Sequence, residues 1–494
     1  MQQYTEISAE SGGERGAIAG GLLLVTLSLA EFHVRLPVPC IPTSRLSIPA
    51  RRSESSVMNR QSARSTRRRL LQFAGAAAAA VAPFANCAAA ADPAFLNEAI
   101  AANSGQSQVR QRTKSVAAVI TVYFHNSHAD VLLTKILEGW KHDGGAGPAL
   151  KLESVYIDQP EGSEFGLEIL KKHNIPIYPT IEGALTVGGK AIPVDGVLSI
   201  GEHGNYPINQ YEQQLYPRRR FFEQITDTFR KYNKVVPVFN DKHISTVWDD
   251  ARWMYDRAVE MRVPFMAGSS LPLSYRTTAF DPPLNSDMES AVGIGYSGLD
   301  VYGFHALECY QTIVERRRNG GSGVRRVRCL EGGDVWKAVR DGWVDEEVMD
   351  AVYSAVPHNK NNIREDEGAV LFQFEYTDGF RGALFMLPSA ALSGVAVRLK
   401  GKPVMATSFE ERVEPRFPHF AWLLKAIETQ IHTGHSVWPI ERNLLTGGIL
   451  DRALHSKFDS HRMLETPELS FSYKPVNYPC APLPDLLTAP GSVQ

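Results

Sequence analysis

The chain has 494 residues, 44% hydrophobic and 21% charged, with 52 Lys and Arg against 54 Asp and Glu. That length supports two or three domains, and the near balance of charge excludes a nucleic-acid partner held by bulk electrostatics, leaving a small molecule as the default ligand. The five cysteines, Cys40, Cys87, Cys309, Cys329 and Cys480, show no metal spacing, so no disulfide framework follows and Cys309 with Cys329 is the one pair to consider.

Residues 1–57 read as a disordered or untranslated leader, with Met58 as initiator. The apolar stretch 17–30 is shorter than the roughly 20 residues of a spanning helix. Thr66-Arg67-Arg68-Arg69-Leu70-Leu71 then precedes an apolar run, 73–81, and small residues at 88–91. This is the order of an export signal, and its arginine pair places 58–91 with twin-arginine signals. The expectation is a periplasmic or exported protein carried folded by the twin-arginine machinery.

From residue 116 onward, short Val- and Ile-rich runs alternate with helix-spaced stretches. Strands are predicted at 116–123, 152–157, 177–179, 194–200, 235–239 and 264–267. Helices are predicted at 129–140, 164–173, 181–185, 216–232 and 247–261. Alternation of this kind is the signature of a doubly wound parallel sheet, here a Rossmann-like domain over 92–271. The pattern changes beyond it, in a C-terminal α/β domain over 272–482. Residues 287–292 and 299–317 read as helical, and 369–410 reads as a large, mostly antiparallel sheet with one solvated or ligand-facing side. Helices at 421–431 and 444–455 follow, and 483–494 is a tail.

Ligands of open α/β sheets bind outside the carboxyl ends of the strands, and five predicted strands end there in polar residues, the last of them, 264–267, in Ser269-Ser270. The first runs into His125-Asn126-Ser127-His128, where a dinucleotide fold normally carries G-x-G-x-x-G; this turn holds no glycine, although the helix it opens still favours an anion at its N-terminus. Asp158, ending the second strand, stands where an acid would hold a ribose hydroxyl, or is a solvated strand-end carboxylate. Glu202 and His203 end another strand. Asn240-Asp241-Lys242-His243 ends a fourth, where a desolvated Lys242 and a neighbouring His243 suit general acid–base work; the bland alternative is a helix-capping turn. His305 and Glu308 lie one helical turn apart, a spacing also compatible with a structural histidine. Convergence of His125, His128, His203, His243 and Asp241 would suit a metal, but spacing does not bring them together, and no metal is expected. Arg218, Arg219 and Arg220 read as a solvated helix end.

With these positions in hand, the chain resembles the glucose-fructose oxidoreductase, inositol dehydrogenase and MocA (Gfo/Idh/MocA) family, over about 116–473. Asp241-Lys242-His243 stands in place of the family's Glu-Lys-Pro, and Gly303-Phe304-His305 matches its later Gly-x-His. The resemblance implies a catalytic lysine at Lys242 and a substrate-facing histidine at His305. The family's aspartate falls on Val301, with Asp300 one place off. The resemblance also implies NAD or NADP held by the strand-end residues, an oxidoreductase acting on a hydroxyl of a sugar or polyol, and self-association through the C-terminal sheet. Two alternatives stay open: a cofactor-free or metal-dependent lyase, isomerase or hydrolase that has refilled the nucleotide cleft, and a carbohydrate-binding protein without turnover.

Overall fold

A computed structural model describes residues 112–481. The expected leader, export signal and tail at 483–494 lie outside the described residues. Among the described residues, no helix is long and apolar enough to cross a membrane.

The first sheet holds β1 (Lys114–Ile120), β2 (Leu150–Ile157), β3 (Gly196–Ile200), β4 (Val238–Asp241) and β5 (Phe265–Gly268) in the order β2-β1-β3-β4-β5. Every pairing is parallel. The strand expected at 177–179 is reduced to one parallel bridge, Ile177 to Val155, because Pro176 and Pro179 flank that residue and proline cannot donate to a ladder. The chain leaves by the β2 edge and returns beside β1 as β3, so the switch point lies between the carboxyl ends of β1 and β3.

One sheet face, with Ala117, Val119, Val197 and Val238, packs on α3 (Ile181–Thr186), α4 (Arg218–Tyr232) and α5 (Trp248–Met261). The other face, with Val116, Ala118, Ile120 and Leu198, packs on the helix after β1, on α2 (Glu164–Lys172) through Leu170, and on α9 (Pro418–Thr433) through Leu423, Leu424, Ile427 and Ile431. That first helix, α1, opens with a π-helical turn, Asp130–Thr134, and continues as Lys135–Glu138. A helix from beyond the second sheet therefore completes the core of the first.

The second sheet has seven strands: β6 (Met288–Gly295), β7 (Val324–Glu331), β8 (Val370–Tyr376), β9 (Arg381–Met386), β10 (Gly394–Leu399), β11 (Met405–Ser408) and β12 (Leu464–Glu465). Their order is β11-β10-β6-β9-β8-β7-β12, antiparallel except where β6 runs parallel to β9. Residues 288–292 of the stretch expected to be helical belong to the interior strand β6, which pairs with β10 on one side and β9 on the other. Beyond that stretch, Gly293 and Gly295 let the strand pack closely, because a Cβ there would strike Leu384 and Tyr310, or Ala306 and Met386. The expected solvated side is also corrected, because β8 is buried at every position. One face of the sheet carries α6 (Val301–Val314) and α10 (Ile440–Phe458), while α7 (Gly333–Arg340) and α8 (Glu346–Ala355) fill the other through Val335, Val348 and Val352. Cys309 and Cys329 are both buried free thiols, so they form no pair.

Phe222 on α4 is fully buried and packs its ring 4.5 Å from that of Phe265 on β5. Phe222→Ala is expected to destabilise the fold by about 3–5 kcal/mol through the cavity it leaves, read as a lower urea midpoint with an unchanged slope.

Candidate active site

The site starts from a strained residue. β4 ends at Asp241, and Lys242 follows with φ of 62°, a left-handed conformation costly for a side chain with a Cβ. Tertiary bonds hold it there. The Lys242 N–H donates to the Gly268 carbonyl at 3.2 Å, and its own carbonyl accepts from Nδ2 of Asn443 on α10 at 3.0 Å. Oδ1 of the same Asn443 takes the Ile244 N–H at 2.9 Å.

This backbone turn aims Nζ of Lys242 at Glu202, 2.8 Å from Oε1, while the Arg218 guanidinium donates to Oε2 at 2.5 Å. All three side chains are buried. Burial opposes ionisation of Glu202, but Lys242 and Arg218 together hold its carboxyl well below the usual carboxylate range. Two cations share one carboxylate, so the floor of the site carries an unbalanced positive charge suited to an oxyanion.

Histidines and carboxyls surround that floor. Nδ1 of His128 lies 2.6 Å from Oδ2 of Asp241, and its ring packs 5.2 Å from His203 and 4.8 Å from Phe420. Burial, followed by the charge of His128, lowers the His203 pKa to about 4, and its Nε2 is buried without a hydrogen-bond partner. His305 on α6 sets Nδ1 2.6 Å from the Ser269 hydroxyl; burial and then Lys242 keep its imidazole well below its ordinary pKa, hence neutral. Oδ2 of Asp300 accepts the Gln214 N–H at 2.9 Å, and Oδ1 is buried and unpartnered. Burial raises the Asp300 carboxyl to about 6. Glu411, raised by burial to about 7, accepts from the Tyr296 hydroxyl and leaves Oε1 unpartnered.

Apart from Arg218, Asp241, Ser269 and Tyr296, these groups line one cavity of about 680 Å³. Of the residues expected from the sequence, Lys242, His305, Asp300, Glu202, His203, Asn126 and His128 face it. The other four stand apart. His243 lies beneath the floor, its Nε2 3.4 Å from Arg218 and its ring against Phe304. Ser127 is buried and accepts the Asp130 N–H. His125 accompanies Arg416 outside the cavity. Asp158 is engaged by the Tyr156 hydroxyl at 2.7 Å, the Tyr206 hydroxyl at 2.8 Å and Arg220 at 2.6 Å. Among the described residues, no three His, Cys, Asp or Glu side chains are arranged to hold a metal ion.

Sequence reasoning missed Arg218, Glu411 and His419. Arg218 hid in a run of three arginines, of which it alone is fully buried. Glu411 and His419, both on the cavity wall, come from a loop and a helix start with no motif around them.

The fold implies a dinucleotide whose pyrophosphate meets the amides after β1. The residues present do not fit that pose. The Asn126 N–H is already taken by Oδ2 of Asp130 at 2.8 Å, and Ser127 N–H by the Phe124 carbonyl. Asp158, the position for a ribose hydroxyl, is engaged by two tyrosine hydroxyls and the Arg220 guanidinium.

No family model and no curated protein matches the chain. Solved structures do resemble it at low identity. GenD2 from gentamicin A biosynthesis, in complex with NAD, has a TM-score of 0.47 and 14% identity, covering 73% of this chain and 98% of its own. Apo scyllo-inositol dehydrogenase from Lactobacillus casei scores 0.47 at 9% identity, covering 72% and 98%. A super-repressor mutant of Gal80p from Saccharomyces cerevisiae scores 0.45 at 9%, covering 73% and 99%.

Asp300 supplies a pH test. Its folded pKa of about 6 exceeds the ordinary value of 3.8 for an aspartate, so between those values the native state binds more protons than the unfolded state and stability falls as pH rises. Asp300→Asn removes that loss. The variant is expected to gain on the order of 2–3 kcal/mol relative to wild type between pH 4 and pH 7.5, measured by urea unfolding at both; a pH-independent difference contradicts the assignment.

Proposed function

We propose that this chain is an enzyme acting on a small, hydroxyl-rich, carbohydrate-like ligand, and that it works by proton transfer without a redox partner, as an isomerase or lyase. The observation that carries this reading is the shared cavity: Lys242, His305 and Asp300 line the same space, and the buried Oδ1 of Asp300 has no hydrogen-bond partner. A ligand carbonyl or hydroxyl oxygen set against Lys242 would have its developing negative charge met by the cationic floor. Ionised Asp300 would take the proton from the adjoining carbon and return it to a neighbouring carbon or to a leaving oxygen, so no electron acceptor is required. Neutral His305, with Nδ1 fixed by Ser269, would present Nε2 to a ligand oxygen.

A second reading, an NAD(P)-linked oxidoreductase on a sugar or polyol hydroxyl, is favoured by one observation. Lys242 and His305 line one cavity outside the carboxyl ends of the parallel strands, where this class of sheet binds its ligands. In that reading Lys242 still handles the hydroxyl proton. Export by the twin-arginine route is proposed alongside, supported by the run from Thr66 to Leu71 and checked by the mass of the mature N-terminus.

Incubation with aldoses, ketoses, inositols and their keto forms in D₂O separates the readings. Deuterium incorporation or a new isomer or elimination product without added dinucleotide, seen by NMR, is the expected result. Product only with NAD(P) selects the second reading, and saturable sugar binding without any product would defeat both. Lys242→Ala is expected to lower kcat about 10²–10⁴-fold on the responding substrate.

A further inference from the structure

The crevice after β1 holds a polar cluster at the edge of the cavity just described, which it meets at Asn126. Asp130 is fully buried in the first turn of α1. Its Oδ2 accepts the Asn126 N–H and an Arg416 N–H, each at 2.8 Å, and its Oδ1 accepts from Thr134 Oγ1 at 2.7 Å. Arg416 arrives from the loop after the second sheet. It also bonds Oδ1 of Asn126 at 3.1 Å, meets Nε2 of His125 at 3.2 Å and donates to Nδ1 of His142 at 3.2 Å. Buried Lys135 donates to the Arg416 carbonyl, fixing the backbone from below. Arg416 and Phe417 both sit at positive φ, 62° and 52°, a strained geometry that persists only when its surroundings over-determine it. Phe417 then lines the cavity.

A carboxylate at a helix N-terminus, bonded to a loop amide and to a guanidinium, supplies the interactions an oxyanion of a phosphate would make. A pyrophosphate entering here would have to displace Asp130 from both partners while facing its negative charge. We infer that Asp130 is an internal stand-in for the dinucleotide's pyrophosphate, and that Arg416 latches the second lobe over that end of the crevice, so the cleft takes its ligand without a dinucleotide. This deepens the first reading above by defining the ligand as one that carries no nucleotide.

The test is calorimetric titration of the full chain with NAD⁺, NADP⁺ and NADH, up to about 2 mM each. No saturable binding is expected for wild type; a one-to-one isotherm tighter than about 1 mM overturns the inference. Asp130→Ser frees both Arg416 and the Asn126 amide. With inorganic pyrophosphate as probe, the variant is expected to bind at least about tenfold more tightly than wild type. A folded variant, judged by an unchanged circular dichroism spectrum and a cooperative melt, that gains nothing overturns the role given to Asp130. If the variant does not fold, the wild-type titration decides alone. Failure of the proposed proton-transfer chemistry would appear instead as absent deuterium exchange in a protein that still binds no dinucleotide.

Discussion

The carboxylate of Glu202, clamped between the Lys242 ammonium and the Arg218 guanidinium, is the interaction on which the rest of the site depends. Removing three charges from water costs several kcal/mol per ion, and the attraction repays it only when the geometry is good and remaining donors are used. Here the cluster is left with one positive charge in excess. Such an arrangement is weak as a source of stability and strong as a device for holding an anionic oxygen, because the field is fixed before a ligand arrives. The buried neutral His243 beneath Arg218 and the unpartnered Nε2 of His203 belong to the same polar pocket.

Neither lobe builds this pocket by itself. The parallel sheet supplies Glu202 and Lys242 at adjacent strand ends, and α6 brings Asp300 and His305 across from the second sheet's side. Asn443 on α10 fixes the left-handed backbone of Lys242, and α9, which starts with Pro418, His419 and Phe420, closes the remaining face of the first sheet. The C-terminal helices thus serve as core for one domain and as cleft wall for both. A shift of α10 would release Lys242 from its turn.

The same economy explains the first-strand crevice. A glycine-free turn crowded with His125, Asn126 and His128 needs its exposed amide satisfied, and Asp130 does so from within the helix it opens. The positive charge that a bare buried carboxylate requires comes from Arg416, nearly three hundred residues along the chain.

Much of the architecture was legible in the residues. The alternation of Val- and Ile-rich runs with amphipathic stretches defined the parallel sheet almost strand by strand, and the polar residues closing those runs pointed to Lys242, Glu202, His203 and His128. Local reading failed at β6, which is a strand because β10 and β9, both about a hundred residues further along the chain, pair with its two edges. It also passed over β7, which pairs with β8, and over α7 and α8, which are buried by packing on the face of the second sheet. The burial of Arg218 and the roles of Glu411 and Arg416 were invisible for the same reason.

By itself, then, the sequence determined the class of fold and which strand ends would carry titratable groups, since both follow from short-range periodicity and from the polarity of turns. Tertiary structure alone decided which of those groups meet, which are neutral and which are spent on holding the chain together. Those outcomes depend on burial and on partners brought from remote positions, and both arise only when the two lobes pack.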